Sequence, residues 1–161
     1  MAATSPGQPP APAASAFPTG AFASAARTVL LVEDDPADVA AIRAALAAQP
    51  FPITLQVAGD AEQALAALHH PAAGQRAADL VLLDLRLPTQ GGAQLLETLK
   101  ADPQLGRIPV VVLTGSAAAA DVRHAYQHHA NAYVTKPVDP DQFRQRLGAI
   151  RRFWIDQARL R

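Results

Sequence analysis

Three short, unbroken apolar runs constrain this chain more than any other feature: residues 28–32 (TVLLV), 80–83 (LVLL) and 110–113 (VVVL). Alternate side chains of a strand point to opposite faces, so a run without alternation fits a strand covered on both sides. Helical patterns separate these runs. Asp35, Pro36 and Asp38 supply a cap, a first-position proline and an acid in the first turn, and Val39, Ile42 and Leu46 follow at helical spacing. Ile53, Leu55 and Val57 alternate with Thr54 and Gln56, as in a strand with one buried face. Gly59 and Asp60 then open a second helix, whose stripe is Ala61, Ala64, Leu65 and Leu68.

Pro88, Gly91 and Gly92 mark a turn before a helix with Leu95, Leu96 and Leu99. An alanine-rich helix is predicted over about 118–129, a short strand over 132–135, and a last helix from Asp139 and Pro140. Five strands strictly alternating with five helices predict an α/β fold with one parallel sheet covered on both faces. The strand at 53–57 alternates and the one at 132–135 is short and mixed, which suits edges. With right-handed crossovers the order is 2-1-3-4-5.

Composition narrows the function. Half of the 161 residues are apolar and the formal charge is zero, so there is one domain's worth of core and no global charge for nucleic acid or an anionic membrane. No apolar run is long enough to span a bilayer. Without cysteine there are no disulfides or thiolate metal sites. Residues 1–26 are uncharged, rich in alanine and carry five prolines, and are expected to form a disordered leader ahead of a domain over 27–161. They lack the pattern of a secretory signal, which makes the cytoplasm the expected location.

In such a sheet, ligands bind beyond the carboxyl ends of the strands where strand order reverses, here between strands one and three. Glu33 and Asp34 follow strand one, Asp84 ends strand three, Thr114 ends strand four and Lys136 follows strand five. Carboxylates at close range raise one another's pKa, and a divalent cation removes the conflict. An all-oxygen donor set points to Mg²⁺ or Mn²⁺. Asp84 is suited to attack phosphorus as a carboxylate nucleophile, with Lys136 stabilising the transferred group's charge and Thr114 hydrogen-bonding one of its oxygens. Lys100 and Lys136 are the only lysines among fourteen basic residues, and a lysine at the rim favours a compact ammonium over a planar fork.

The blocks VLLVEDDPAD, VLLDLRLP followed by GG, VVVLTGS and YVTKPVD resemble, in order, those of the receiver domain of bacterial response regulators, a flavodoxin-like fold. The resemblance covers roughly residues 28–150. It implies Asp84 as the single phosphoacceptor, Asp34 as a direct metal ligand and Glu33 as one acting mostly through water. It further implies a metal contact from the Arg86 backbone carbonyl, Thr114 as switch hydroxyl, Tyr133 as switch aromatic, Lys136 as phosphate-binding lysine and a cis Lys136–Pro137 bond. The donor would be a sensor histidine kinase, with the chain a stoichiometric acceptor that assists its own transfer rather than an enzyme. IPVVVLTGS, HANAYVTKPVD and the Phe and Trp of the last helix resemble, more narrowly, regulators paired with phytochrome-type kinases.

A dehalogenase-type phosphatase needs a second Asp two residues past the nucleophile, where this chain has Arg86, and a nucleotide-binding domain needs a glycine-rich phosphate loop that is absent. A phosphorylation-independent interaction module remains the alternative. Asp35 reads as a helix cap. His124 and His128 are four apart on one helix, a spacing that can bind metal, but no third ligand is evident in sequence and they read as a solvated face. The last helix would run about 33 Å from Pro140 to Arg161 with a basic face including Arg151. Phe153 and Trp154 would lie past the end of the core and form an interface, in a homodimer or with the kinase.

Overall fold

The computed structural model describes residues 26–47, 52–71, 73, 77–88 and 91–157. The expected leader falls almost wholly in 1–25 and the end of the last helix in 158–161, both outside the described residues. Five strands, β1 (Arg27–Val32), β2 (Ile53–Ala58), β3 (Leu80–Leu83), β4 (Val110–Thr114) and β5 (Ala132–Thr135), form one parallel sheet in the order β2-β1-β3-β4-β5. Helices α1 (Pro36–Ala47), α2 (Ala61–His69), α3 (Gly92–Ala101), α4 (Ala119–Gln127) and α5 (Pro140–Ile150) alternate with them.

The pleat divides the three apolar runs between two cores. Leu30, Val32, Val81, Leu83, Val110 and Val112 face α2, α3 and α4, where Ala64, Leu68, Leu95, Leu96, Leu99 and Ala125 complete the layer. Val29, Leu31, Leu80, Leu82, Val111 and Leu113 face Ile42 and Leu46 of α1 and Phe143, Leu147 and Ile150 of α5. A fully buried leucine in such layers contributes about 1.5–3 kcal/mol. Every residue of β3 and β4 is buried, and every residue of β5 is only partly so, as expected of central and edge strands. No helix among the described residues is long and apolar enough to cross a membrane.

Two expectations need correction. Val57, assigned to the buried face of β2, is exposed. It opens on a groove beside Ala40, Ala44 and Gly59, which are too small to cover it. The second concerns the chain after α5, which continues as wider π-helical turns over Arg151–Gln157. Arg151 and Ile155 there are buried, so Arg151 does not belong to a solvent-facing basic stripe. Its guanidinium donates to the Leu46 carbonyl at the last turn of α1, where a cation meets the negative end of the helix dipole. Ile155 extends the second core, and Trp154 packs against it rather than standing past its end. Phe153 remains 57% exposed, edge-on to Trp154 with ring centroids 5.1 Å apart.

Candidate functional site

Parallel strands bring their carboxyl ends to one edge, and the site is built from what immediately follows each strand. Glu33 comes after β1 and Asp84 after β3, both almost fully buried. Thr114, the last residue of β4, has no exposed surface. Lys136 follows β5, and its backbone N–H donates to the Thr114 carbonyl at 2.7 Å, fixing the base of the side chain against β4. The ammonium reaches back across the sheet edge. Nζ lies 2.5 Å from Glu33 Oε2, 2.7 Å from Asp84 Oδ2 and 2.7 Å from Asp38 Oδ2.

Asp38 is the participant that sequence reasoning missed. An acid in the first turn of a helix is explained by the dipole alone, so nothing in the local pattern marked it. The usable signal was positional: α1 starts directly after the acidic pair, so its first turn sits over the same crevice. Asp35 behaves as the expected cap, accepting from Ala37 N–H at 2.8 Å. Asp34 is exposed at the lip, beside Glu33 in the lining of the α1 groove.

The electrostatics separate the carboxylates. Burial raises the Glu33 carboxyl above its usual range, and its bonds to Lys136 and the Asp35 N–H offset this only in part. Burial acts on Asp84 in the same sense, but is outweighed by hydrogen bonds from the Arg86 N–H, Lys136 and Thr114, which hold it below the usual carboxylate range. Burial would depress Lys136, yet its bonds to Asp38, Asp84 and Glu33 prevail and raise it. Asp84 is therefore an ionised carboxylate with distinct oxygens. Oδ1 accepts from the Arg86 backbone N–H at 2.9 Å, while Oδ2 faces the ammonium.

One glycine permits this packing, and a second marks where the Arg86 side chain lies. A Cβ at Gly92, the start of α3, would stand 2.1 Å from the Asp84 carbonyl oxygen, so α3 can press on the backbone of the Asp84 turn only with glycine there. A Cβ at Gly115 would meet the Arg86 guanidinium at 2.1 Å, so the Arg86 side chain lies across the chain just after Thr114.

Tyr133 on β5 is joined to the same region. Its hydroxyl donates to the Ser116 carbonyl at 2.9 Å, two residues past Thr114, and its backbone N–H donates to the Tyr126 hydroxyl of α4 at 3.2 Å. Burial pushes its phenol above the usual value. The structure thus brings Glu33, Asp84, Thr114 and Lys136 together, with Asp34 at the rim and Tyr133 one loop away. Phe153 and Trp154 lie outside this cluster, on the segment following α5.

Doubly wound topology, an acid-lined crevice at the β1/β3 switch point and a lysine crossing to a buried aspartate define a receiver-type site. Residues 29–148 match the response regulator receiver domain family, and the chain belongs to it. Among curated relatives, it is 36% identical over 128 residues to a probable methanogenesis regulatory protein, FilR2, of Methanothrix harundinacea, covering 79% of this chain and 83% of the relative. It is 34% identical over 136 residues to the response regulator Rcp1 of Synechocystis, covering 83% and 92%. The phosphorylated cyanobacterial phytochrome response regulator RcpA superposes with a TM-score of 0.80 at 39% identity, over 84% of this chain and 99% of that one. The Mn²⁺-bound form of Rcp1 gives a TM-score of 0.79 at 34% identity, again over 84% and 99%.

Proposed function

We propose that this protein is a phosphorylation switch in which Asp84 accepts a phosphoryl group from a sensor histidine kinase of the phytochrome-associated type. The observation that carries this reading is the ionised, lysine-paired carboxylate of Asp84 at the carboxyl edge of the sheet. Its likeness to Rcp1 and RcpA, both over 80% of this chain, supports the kinase class.

Oδ1 of Asp84 is held by the backbone, so Oδ2 is the oxygen that attacks phosphorus. As the new O–P bond forms, the bond from phosphorus to the donor imidazole nitrogen breaks, and its electron pair leaves with that ring. Lys136 already stands at Oδ2, within reach of an oxygen on a phosphoryl group esterified there. The Thr114 hydroxyl, at the end of the adjacent strand, is placed to donate to another. The chain acts once per phosphoryl group, as an acceptor.

The donor set fits a hard divalent cation. Glu33, Asp38 and Asp84 crowd three carboxylates around one ammonium, so three negative charges face a single positive one. Asp34 and Asp84 would hold Mg²⁺ or Mn²⁺, with the Arg86 carbonyl, and Glu33 through water. Bound there, the ion supplies neutralisation of charge on the phosphoryl oxygens.

Esterification of Asp84 draws the Thr114 hydroxyl toward the phosphate and loosens the adjoining loop, which holds the Tyr133 hydroxyl through Ser116. Output follows as a population shift at the face formed by α4, β5 and α5. Self-association through the segment after α5, where Phe153 is exposed, is the readout we assign. Phosphorylation by acetyl phosphate with Mg²⁺, read by intact mass in wild type and Asp84→Asn, tests the reading.

A further inference from the structure

The structure supplies what the sequence lacked for the α4 histidines: a third ligand from a different helix. Glu97 of α3 places Oε1 at 3.1 Å from His124 Nε2 and 3.6 Å from His128 Nε2. One ligand atom from each of the three residues lies within 4.8 Å of the others. Tetrahedral coordination with metal–ligand distances of about 2.0–2.1 Å separates ligand atoms by about 3.3 Å. The separations of 3.1 and 3.6 Å bracket that value.

We propose that Glu97, His124 and His128 form a binding site for one borderline-soft divalent ion of the Zn²⁺ class, joining α3 to α4. His124 Nε2 is shielded from solvent and has no hydrogen-bond partner, although the Glu97 carboxylate is only 3.1 Å away. A buried ring nitrogen costs free energy unless something pairs with it, and a metal ion would do so through the lone pair of the unprotonated nitrogen. Both Nε2 atoms converge on the same Glu97 oxygen, and the two imidazole ring centroids are 4.4 Å apart.

The backbone holds the ligands in place. His129 adopts a left-handed conformation, φ 61°. Its N–H bonds the Tyr126 carbonyl and that of Ala130 bonds the Ala125 carbonyl, a paired closure that ends α4 immediately after His128. That conformation is sterically unfavourable for a residue other than glycine. His128 is therefore fixed at the helix terminus, one turn from His124. Two imidazoles and one carboxylate leave a fourth position for water or an incoming ligand. Imidazole donors disfavour Mg²⁺, so this site and the acidic crevice select different metals.

The test uses the full, tag-free chain with Mg²⁺ in excess to occupy the acidic crevice. Zn²⁺ is titrated by calorimetry while imidazole NMR resonances are followed in wild type. One Zn²⁺ per chain is expected, with His124 and His128 shifting and His69, His70 and His129 unmoved. Losing even an outer-shell partner weakens metal binding about 10–100-fold, so Glu97→Gln, His124→Gln and His128→Gln should each weaken it at least about 100-fold. The wild-type resonances report ligation whether or not a variant folds. Failure of wild type to bind one equivalent, or binding that shifts neither histidine, overturns the proposal.

Discussion

Nζ of Lys136 and Oδ2 of Asp84 stand 2.7 Å apart across the crevice joining the ends of β5 and β3, and the same ammonium serves Glu33 and Asp38. The lysine is thus an internal counterion for three acids, and under the proposed function it would also hold an incoming phosphate. Its side chain is 9% exposed and those of Glu33 and Asp84 less, so little solvent screens these three groups, while Asp38 stands nearer the surface.

Lys136→Met removes that charge while keeping most of the volume. Stranding buried carboxylates in this way costs about 3–5 kcal/mol. The loss should be largest in metal-free protein and visibly smaller with saturating Mg²⁺, since a cation in the crevice replaces part of the lost charge. Urea denaturation with and without Mg²⁺ measures both. An equal loss in the two conditions would separate the metal from these carboxylates.

Thr114 and Tyr133 should be separable from the chemistry. Thr114→Ala leaves Asp84, Lys136 and the acidic pair in place, so phosphorylation is expected to persist. The Tyr133 hydroxyl would still bond the Ser116 carbonyl, but nothing would pull that loop toward the phosphate. Amide resonances of β5 and α4 should therefore respond to phosphorylation in wild type and stay unmoved in the variant. Loss of phosphorylation itself would give Thr114 a larger part in the transfer.

Because Trp154 packs against the core, Phe153 alone carries the test of self-association. Truncating an aromatic anchor at an interface centre costs upward of about 2 kcal/mol, a more than tenfold change in dimer dissociation. Phe153→Ala should therefore sediment as a monomer at concentrations where wild type dimerises, and the unfolding midpoints of the two should converge on dilution to where both are monomeric. A wild type that remains monomeric with and without phosphate would reassign Phe153 to the kinase.

The parallel sheet was legible because burial on both faces leaves an unmistakable pattern: TVLLV, LVLL and VVVL read directly as the central strands, and alternation marked β2 as an edge. Strand ends then located Glu33, Asp84, Thr114 and Lys136, since topology alone carries them to one rim. Side chains recruited from helices were not legible. Asp38 looked like a dipole acid and His124 with His128 like a solvated face, because their partners lie 98 residues away on Lys136 and on α3. Arg151 was misread for a related reason. Its burial depends on a change of helical turn after Ile150 that apolar periodicity does not encode.

The central claim is that Asp84 receives the phosphoryl group. Intact-mass measurement after incubation with acetyl phosphate and Mg²⁺ addresses it directly. Wild type is predicted to gain the mass of a single phosphoryl group and Asp84→Asn to gain none, although the amide keeps the size and shape of the carboxylate. A phosphoryl adduct on Asp84→Asn equal to that on wild type would contradict the account.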